Sequence, residues 1–198
     1  MSCSFLDVLG KSRLYPLTDR VMSGLPHDEQ VLSLSKRGVT LVQLREKTLS
    51  ARQFYEEAAA ALRAGRERGV KIIVNDRVDL ALALKADGVH LGQDDMPADA
   101  ARRLLGPDSI IGVSTHTLEQ AQRAAELPVD YLAIGPLFST LTKRSSEPPV
   151  GLDGLRLVRK AVGNMPLIAI GGIKAANHQA IFDSGADGVA AISDLWAR

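Results

Sequence analysis

Short runs of β-branched and leucine residues return along the chain, each after an alanine-rich amphipathic stretch and a glycine. The junctions at Gly38, Gly69, Gly88 and Gly188 open into Val39-Thr40-Leu41-Val42, Val70-Lys71-Ile72-Ile73-Val74, Val89-His90-Leu91 and Val189-Ala190-Ala191-Ile192. A glycine just past a helix ends it in the left-handed conformation, and an apolar run of this length reads as a strand buried on both faces. Two junctions nearly repeat, Ala86-Asp87-Gly88-Val89 and Ala186-Asp187-Gly188-Val189. Such weak self-similarity is expected when one β/α unit is used repeatedly.

The pattern predicts eight strands, beginning near Leu14, Val39, Lys71, Gly88, Ile110, Tyr131, Leu167 and Gly188. Helices fill the gaps. Ser50-x-x-Gln53 and Thr117-x-x-Gln120 read as capping boxes, and Pro97 suits a first helical position. Leu155, Val158 and Val162 keep the spacing of one buried helix face, which Gly163 ends. No Ser/Gly linker divides the chain, so residues 1–198 form a single domain. Eight strands alternating with helices predict an α/β fold, a small (β/α)₈ TIM barrel. Only Ser193 to Arg198 follow Ile192, so the eighth helix is expected to be truncated or missing. An open doubly wound sheet is the alternative.

Composition narrows the function. Aromatics make up 4% of the chain, so the core is aliphatic, and the net charge of +1 argues against nucleic acid or anionic membrane as a partner. Any bound anion must be caught by a local cluster. Cys3 is the only cysteine, which excludes a disulfide framework. Neither a signal peptide nor a transmembrane run is evident, so a cytoplasmic location is expected. A homo-oligomer remains open.

Candidate chemistry falls at the C-terminal strand ends, where barrel active sites form. Alternation along Gln43-Leu44-Arg45-Glu46-Lys47 puts Gln43, Arg45 and Lys47 on one side, with Leu44 and Glu46 on the other. Asn75-Asp76 ends strand three and Gly92-Gln93-Asp94-Asp95 follows strand four. Carboxylates from neighbouring strand ends make Asp76 and Asp95 a candidate Mg²⁺ site. The competing reading makes each a cap for the helix after it. His90 reads as a packed core histidine. Ser114 ends strand five, and His116 alone assigns no acid or base. Thr140, Thr142 and Lys143 supply hydroxyls and a cation suited to phosphate, on a long loop from Ser139 to Gly151 expected to act as a lid. Gly171-Gly172 and Ser193 lie after strands seven and eight, a frequent phosphate site in barrels.

Taken in order, Gln43-Leu44-Arg45-Glu46-Lys47, Val74-Asn75-Asp76, His90-Leu91-Gly92-Gln93-Asp94-Asp95, Gly112-Val113-Ser114, Thr140-x-Thr142-Lys143 and Gly171-Gly172 resemble the thiamine phosphate synthase family. The likeness runs from Leu14-Tyr15-Pro16-Leu17-Thr18-Asp19 to Ile192-Ser193. It implies a Mg²⁺-dependent transferase. Such an enzyme condenses 4-amino-5-hydroxymethyl-2-methylpyrimidine diphosphate with 4-methyl-5-(2-hydroxyethyl)thiazole phosphate to give thiamine phosphate and diphosphate. By the same resemblance, Gln43, Leu44, Arg45, Glu46, Lys47, Asn75, Ser114 and Lys143 hold the pyrimidine diphosphate, and Asp76 and Asp95 bind Mg²⁺. Thr140, Leu141 and Thr142, with Gly172, Ile192 and Ser193, hold the thiazole phosphate. Arg45, Lys47, Ser114 and Lys143 are the implied catalytic set.

Two rivals use the same barrel. A thiazole tautomerase would need His116 as a proton carrier but no diphosphate clamp. A non-catalytic phosphate-ligand sensor would bind without turnover.

Overall fold

The computed structural model describes residues 4–139 and 148–196. Its elements run α1 (Phe5–Leu9), β1 (Leu14–Pro16), α2 (Arg20–Ser23), α3 (His27–Ser35), β2 (Leu41–Leu44), α4 (Ala51–Arg68), β3 (Lys71–Asn75) and α5 (Val78–Leu84). Then follow β4 (Gly88–Leu91), α6 (Ala98–Leu105), β5 (Ile110–Thr115), α7 (Leu118–Ala125), β6 (Tyr131–Ile134) and α8 (Gly151–Val162). The chain continues with β7 (Leu167–Ile170), a 3₁₀ turn (Ala175–Asn177), α9 (His178–Asp183), β8 (Gly188–Ala191) and α10 (Ser193–Trp196). Every strand except β2 begins at the residue the hydrophobic pattern predicts. β2 starts two residues later than Val39, at Leu41.

All strand pairs are parallel, in the order β1-β8-β7-β6-β5-β4-β3-β2. The two edges meet at one bridge, Leu17 against Gln43, where the Thr18 N–H donates to the Gln43 carbonyl at 2.9 Å. That contact closes the sheet into a nearly complete barrel and removes the open-sheet alternative.

The apolar residues divide into two layers. Val42, Leu44, Ile72, Val74, Val89, Leu91, Ile111, Leu132, Ala169 and Val189 face outward and pack under the helices. Tyr15, Leu17, Leu41, Ile73, Tyr131, Ala133, Ile168 and Ala190 face inward, with Phe5 and Leu9 of α1 plugging the N-terminal end. An eight-stranded barrel has an interior only wide enough for side chains, so bulky and missing side chains must alternate. Gly112 is the clearest case: a Cβ there would lie 2.0 Å from the Tyr131 ring. The same constraint corrects the reading of Gly88 and Gly188 as helix terminators. Both sit inside strands, where a Cβ would strike the Ile110 carbonyl oxygen at 1.9 Å or crowd Leu9 and Ile168. Gly69 does end its helix left-handed, at φ 68°.

Ser50 and Gln53 form the expected reciprocal capping box, and Thr117 accepts from the Gln120 N–H. Pro97 stands one position earlier than expected, as the residue before α6.

The aspartates of the two Ala-Asp-Gly junctions share a physical role with Asp130 of Val129-Asp130-Tyr131. Asp87, Asp130 and Asp187, each just before an even-numbered strand, accept the N–H of Ile72, Ile111 and Leu167 near the start of the preceding strand. Each carboxylate is also paired with a cation: Lys71, Arg102 and Arg159 respectively. Arg159 extends its clamp to the carbonyls of Gly185 and Met165. These ties fix the N-terminal face of the barrel, opposite the mouth.

A charge-assisted bond to a partly buried N–H stabilises more than an exposed ion pair. Asp187→Ala should therefore lower unfolding stability by about 2 kcal/mol. Glu56→Ala, which breaks the exposed Arg52–Glu56 pair, should cost under ~0.5 kcal/mol. Urea denaturation of the two variants checks this, and equal losses would contradict it.

Candidate active site

The C-terminal strand ends open into a cleft of about 1080 Å³ measured out to its mouth. Its floor is polar, although it lies inside the barrel. The Gln43 amide nitrogen donates to the Tyr15 hydroxyl (3.2 Å), which contacts the Tyr131 hydroxyl (2.8 Å). Tyr131 in turn reaches His90 Nδ1 (2.8 Å), and His90 Nε2 reaches the Ser114 hydroxyl (2.8 Å). All five residues are buried. Gln43 Oε1 is buried as well and has no hydrogen-bond partner among the described residues. A buried acceptor without a donor is costly, so this carbonyl marks a point that a ligand donor would satisfy.

Charged groups gather on the β2–β4 side of the mouth. Arg45 Nη1 bonds Asp19 Oδ2 at 2.9 Å, with both side chains largely covered. Lys47 pairs with Asp76. Asp76 has φ 62°, left-handed backbone that aspartate tolerates better than most residues and that costs about 1 kcal/mol. Asp95 accepts the Gly92 N–H at 2.6 Å and stands against Asp76. Burial, and then the charge of Asp76 beside it, push the Asp95 carboxyl above its ordinary pKa, with the Gly92 N–H acting the other way.

Neither carboxylate serves as the side-chain cap that the competing reading proposed. The helix after Asp76 starts from Arg77, the one after Asp95 from Pro97, and neither start has a side-chain cap bond. Two carboxylates side by side, with Asp95 disfavoured in its charged form beside Asp76, fit a hard divalent cation such as Mg²⁺.

Across the cleft lies the glycine turn after β7. The root of the β6 loop is locked to it: Leu137 and Phe138 N–H groups donate to the Ile170 and Gly171 carbonyls at 2.8 and 3.0 Å. Gly172, at φ 65°, meets Phe138 and the Ser139 carbonyl so closely that a Cβ would lie 2.8 Å from each. Val150 and Gly151 N–H groups return to the carbonyls of Pro136 and Leu137. Both ends of the expected lid are thus anchored together at the rim. Thr140, Leu141, Thr142 and Lys143 lie outside the described residues.

Of the sequence-derived site residues, Gln43, Arg45, Lys47, Asn75, Asp76, Ser114, Gly172 and Ile192 line this one cleft. Ser193 begins α10 directly beyond Ile192. Leu44, Glu46 and Asp95 are not among the lining residues, although Asp95 stands directly behind the cleft against Asp76. Leu44 is fully buried beneath the helices. Glu46 turns away, and one of its oxygens accepts the N–H groups of Lys47, Thr48 and Leu49 and the Thr48 hydroxyl. Its other oxygen lies 3.3 Å from His27 Nε2, while His27 Nδ1 contacts Thr18 at 2.8 Å. Glu46 therefore shapes the loop that carries Arg45 and Lys47. His90 is packed as expected, but it also borders the cleft with both ring nitrogens engaged. Sequence reasoning missed Tyr15 and Tyr131. The available signal was two tyrosines in otherwise aliphatic strands of a chain poor in aromatics.

A family profile described as thiamine monophosphate synthase matches residues 14–195. A thiamine-phosphate synthase of Albidiferax ferrireducens is 49% identical over 186 residues, covering 93% of this chain and 84% of that relative. The one from Chloroflexus aurantiacus is also 49% identical, over 93% of this chain and 85% of its own length. Among solved structures, a thiamine phosphate pyrophosphorylase from Pyrococcus furiosus superposes with a TM-score of 0.84 at 37% identity, covering 93% and 87% of the two chains. An N-acetylmannosamine-6-phosphate 2-epimerase from Clostridium perfringens, at 13% identity and TM-score 0.69, shares the fold alone.

Burial alone would raise the Glu46 pKa, but the Thr48, Leu49 and Lys47 donors outweigh it and hold it at about 2, against an ordinary 4.5. A depressed carboxyl pKa adds stability that is present above pH 4.5 and lost as pH falls toward 2. Glu46→Gln should thus be about 2 kcal/mol less stable than the native protein at neutral pH, and the gap should close near pH 2. Urea unfolding at both ends of that range checks the sign; a gap independent of pH would contradict it.

Proposed function

The chain belongs to the thiamine monophosphate synthase family, enzymes that condense a hydroxymethylpyrimidine diphosphate with a thiazole phosphate, and we propose how its own residues divide that work. The observation that carries the proposal is the asymmetry of one cleft. Cations and paired carboxylates stand on the β2–β4 side, and a glycine turn stands on the β7–β8 side.

The diphosphate lies against Arg45, Lys47 and Asn75, with Lys143 as a further cation from the lid. Asp76 and Asp95 would hold Mg²⁺, which would supply positive charge to the diphosphate oxygens. The pyrimidine ring rests on Gln43 and Ser114. The thiazole phosphate sits at the turn around Gly172, with Ile192, Ser193 and the threonines of the β6 loop.

The bond from the pyrimidine methylene to oxygen breaks, and its electron pair leaves with the diphosphate. The lone pair of the thiazole nitrogen then forms the new carbon–nitrogen bond. No proton has to be removed at either centre, so the site needs no general base. Its cations act on the charge that builds as diphosphate departs, and each ~1.4 kcal/mol they contribute is worth about tenfold in rate. The electron-rich aminopyrimidine can carry positive charge on its methylene, which favours departure before attack. An isomerase would release no diphosphate, and Arg45, Lys47 and a cation held by Asp76 and Asp95 would have no departing charge to neutralise.

Balanced charge and small-molecule substrates fit an enzyme working in the cytoplasm without nucleic acid or membrane. Among the described residues, no helix is long and apolar enough to cross a membrane.

Asp76→Asn and Asp95→Asn should each reduce thiamine phosphate formation by at least ~10²-fold. Each should also weaken Mn²⁺ binding measured by paramagnetic resonance. Normal Mn²⁺ affinity in both variants would move the metal elsewhere.

A further inference from the structure

The buried column beneath the cleft has a property that no single contact in it reveals. A neutral amide nitrogen only donates, a hydroxyl carries one proton, and a neutral imidazole donates at one nitrogen and accepts at the other. Fixing the sense of one bond therefore fixes all of them. Gln43 donates to Tyr15, whose proton has no acceptor among the described residues other than Tyr131, so Tyr15 donates to Tyr131. By the same rule Tyr131 donates to a neutral His90 at Nδ1. His90 then carries its proton on Nε2 and donates it to Ser114. The Ser114 proton is left without a partner in the column, as is the buried carbonyl oxygen of Gln43, and both residues line the cleft. Turning the Gln43 amide over reverses every bond: Gln43 then offers N–H groups and Ser114 offers only an acceptor.

We propose that Tyr15, Tyr131 and His90 are positioning residues, forming a relay that ties the hydrogen-bond sense of Gln43 to that of Ser114 across the cleft. Resting on the reading of this cleft as the pyrimidine subsite, the relay specifies a ring edge bearing one donor and one acceptor. An aminopyrimidine has such an edge, with an amino group beside a ring nitrogen. A ligand presenting two donors or two acceptors would leave one buried group unpaired, whichever way the relay points, and an unpaired buried polar group costs roughly tenfold or more in affinity.

Three observations support a built device over an accident of packing. Burial holds the pKa of both tyrosines above its ordinary value, Tyr131 further by its contact with Tyr15, so each hydroxyl keeps its single proton. Tyr131 is clamped from two sides: Phe5 stacks on it at 4.1 Å, and Gly112 leaves only enough room for its ring. The relay also begins at the residue that closes the barrel, so its first member is fixed in place.

The test needs no substrate in its first arm. In histidine ¹⁵N-labelled protein, ring shifts report which nitrogen of His90 carries the proton, with the signal assigned by His90→Asn. The native protein should show Nε2–H. Gln43→Glu, whose carboxylate only accepts at about pH 8, should move the proton to Nδ1 without touching His90. Gln43→Glu combined with Tyr131→Phe, or with Tyr15→Phe should the former not fold, should lose that response. An unchanged His90 proton in folded Gln43→Glu overturns the relay.

The second arm is kinetic. Tyr131→Phe should raise KM for the pyrimidine diphosphate about tenfold while leaving KM for the thiazole phosphate within about twofold. Equal rises in both would reduce Tyr131 to a structural role and contradict the proposal. A His90 proton that moves as expected, in a native protein that forms no thiamine phosphate, would refute the functional reading and leave the relay standing.

Discussion

The barrel closes at one bridge, and the residue on one side of it is Gln43. Its carbonyl accepts the Thr18 N–H that joins β1 to β2. Its side chain starts the polar column and lines the cleft, and its buried oxygen has no partner among the described residues. Closure of an eight-stranded sheet leaves a narrow interior that side chains must fill. Here α1 and the lower inward residues fill it with carbon, and the next level up is filled with hydrogen-bonded tyrosine, histidine, glutamine and serine. The cleft exists because the upper inward positions carry small residues, Ala133, Gly135 and Ala190 among them. Fold and site are therefore one packing solution.

The two ends of the barrel divide stability from chemistry. The N-terminal face repeats an aspartate clamp on the first residues of β3, β5 and β7, each with its cation. At the C-terminal face Arg45 and Lys47 pair with Asp19 and Asp76, yet Asp95 is held against Asp76 and Asp76 stands in a left-handed backbone. Such arrangements cost folding free energy and persist where a ligand resolves them. Glu46 and His27 join the two purposes, because their buried contacts hold the loop that presents Arg45 and Lys47.

Much of this was legible in the sequence, for identifiable reasons. Strands buried on both faces write continuous apolar runs, and these placed β1 and β3 to β8 at their first residues. Two-residue alternation set Gln43, Arg45 and Lys47 apart from Leu44 and Glu46, and the cleft is lined by that same trio. Glycine was misread where two of its uses look alike: Gly88 and Gly188 follow helices but serve the barrel interior. The column of Tyr15, Tyr131 and His90 was invisible because its members come from β1, β6 and β4, and only closure brings them together.

The central claim is that one cleft holds the pyrimidine on Gln43 and Ser114 with its diphosphate on the Arg45, Lys47, Asp76 and Asp95 corner. A crystal structure with the pyrimidine diphosphate and Mg²⁺ bound tests this directly. The account predicts the ring edge within hydrogen-bond distance of Gln43 Oε1 and the Ser114 hydroxyl, with Mg²⁺ at Asp76 and Asp95. Diphosphate seated instead at the Gly171-Gly172 turn, with the ring away from Gln43, would contradict it.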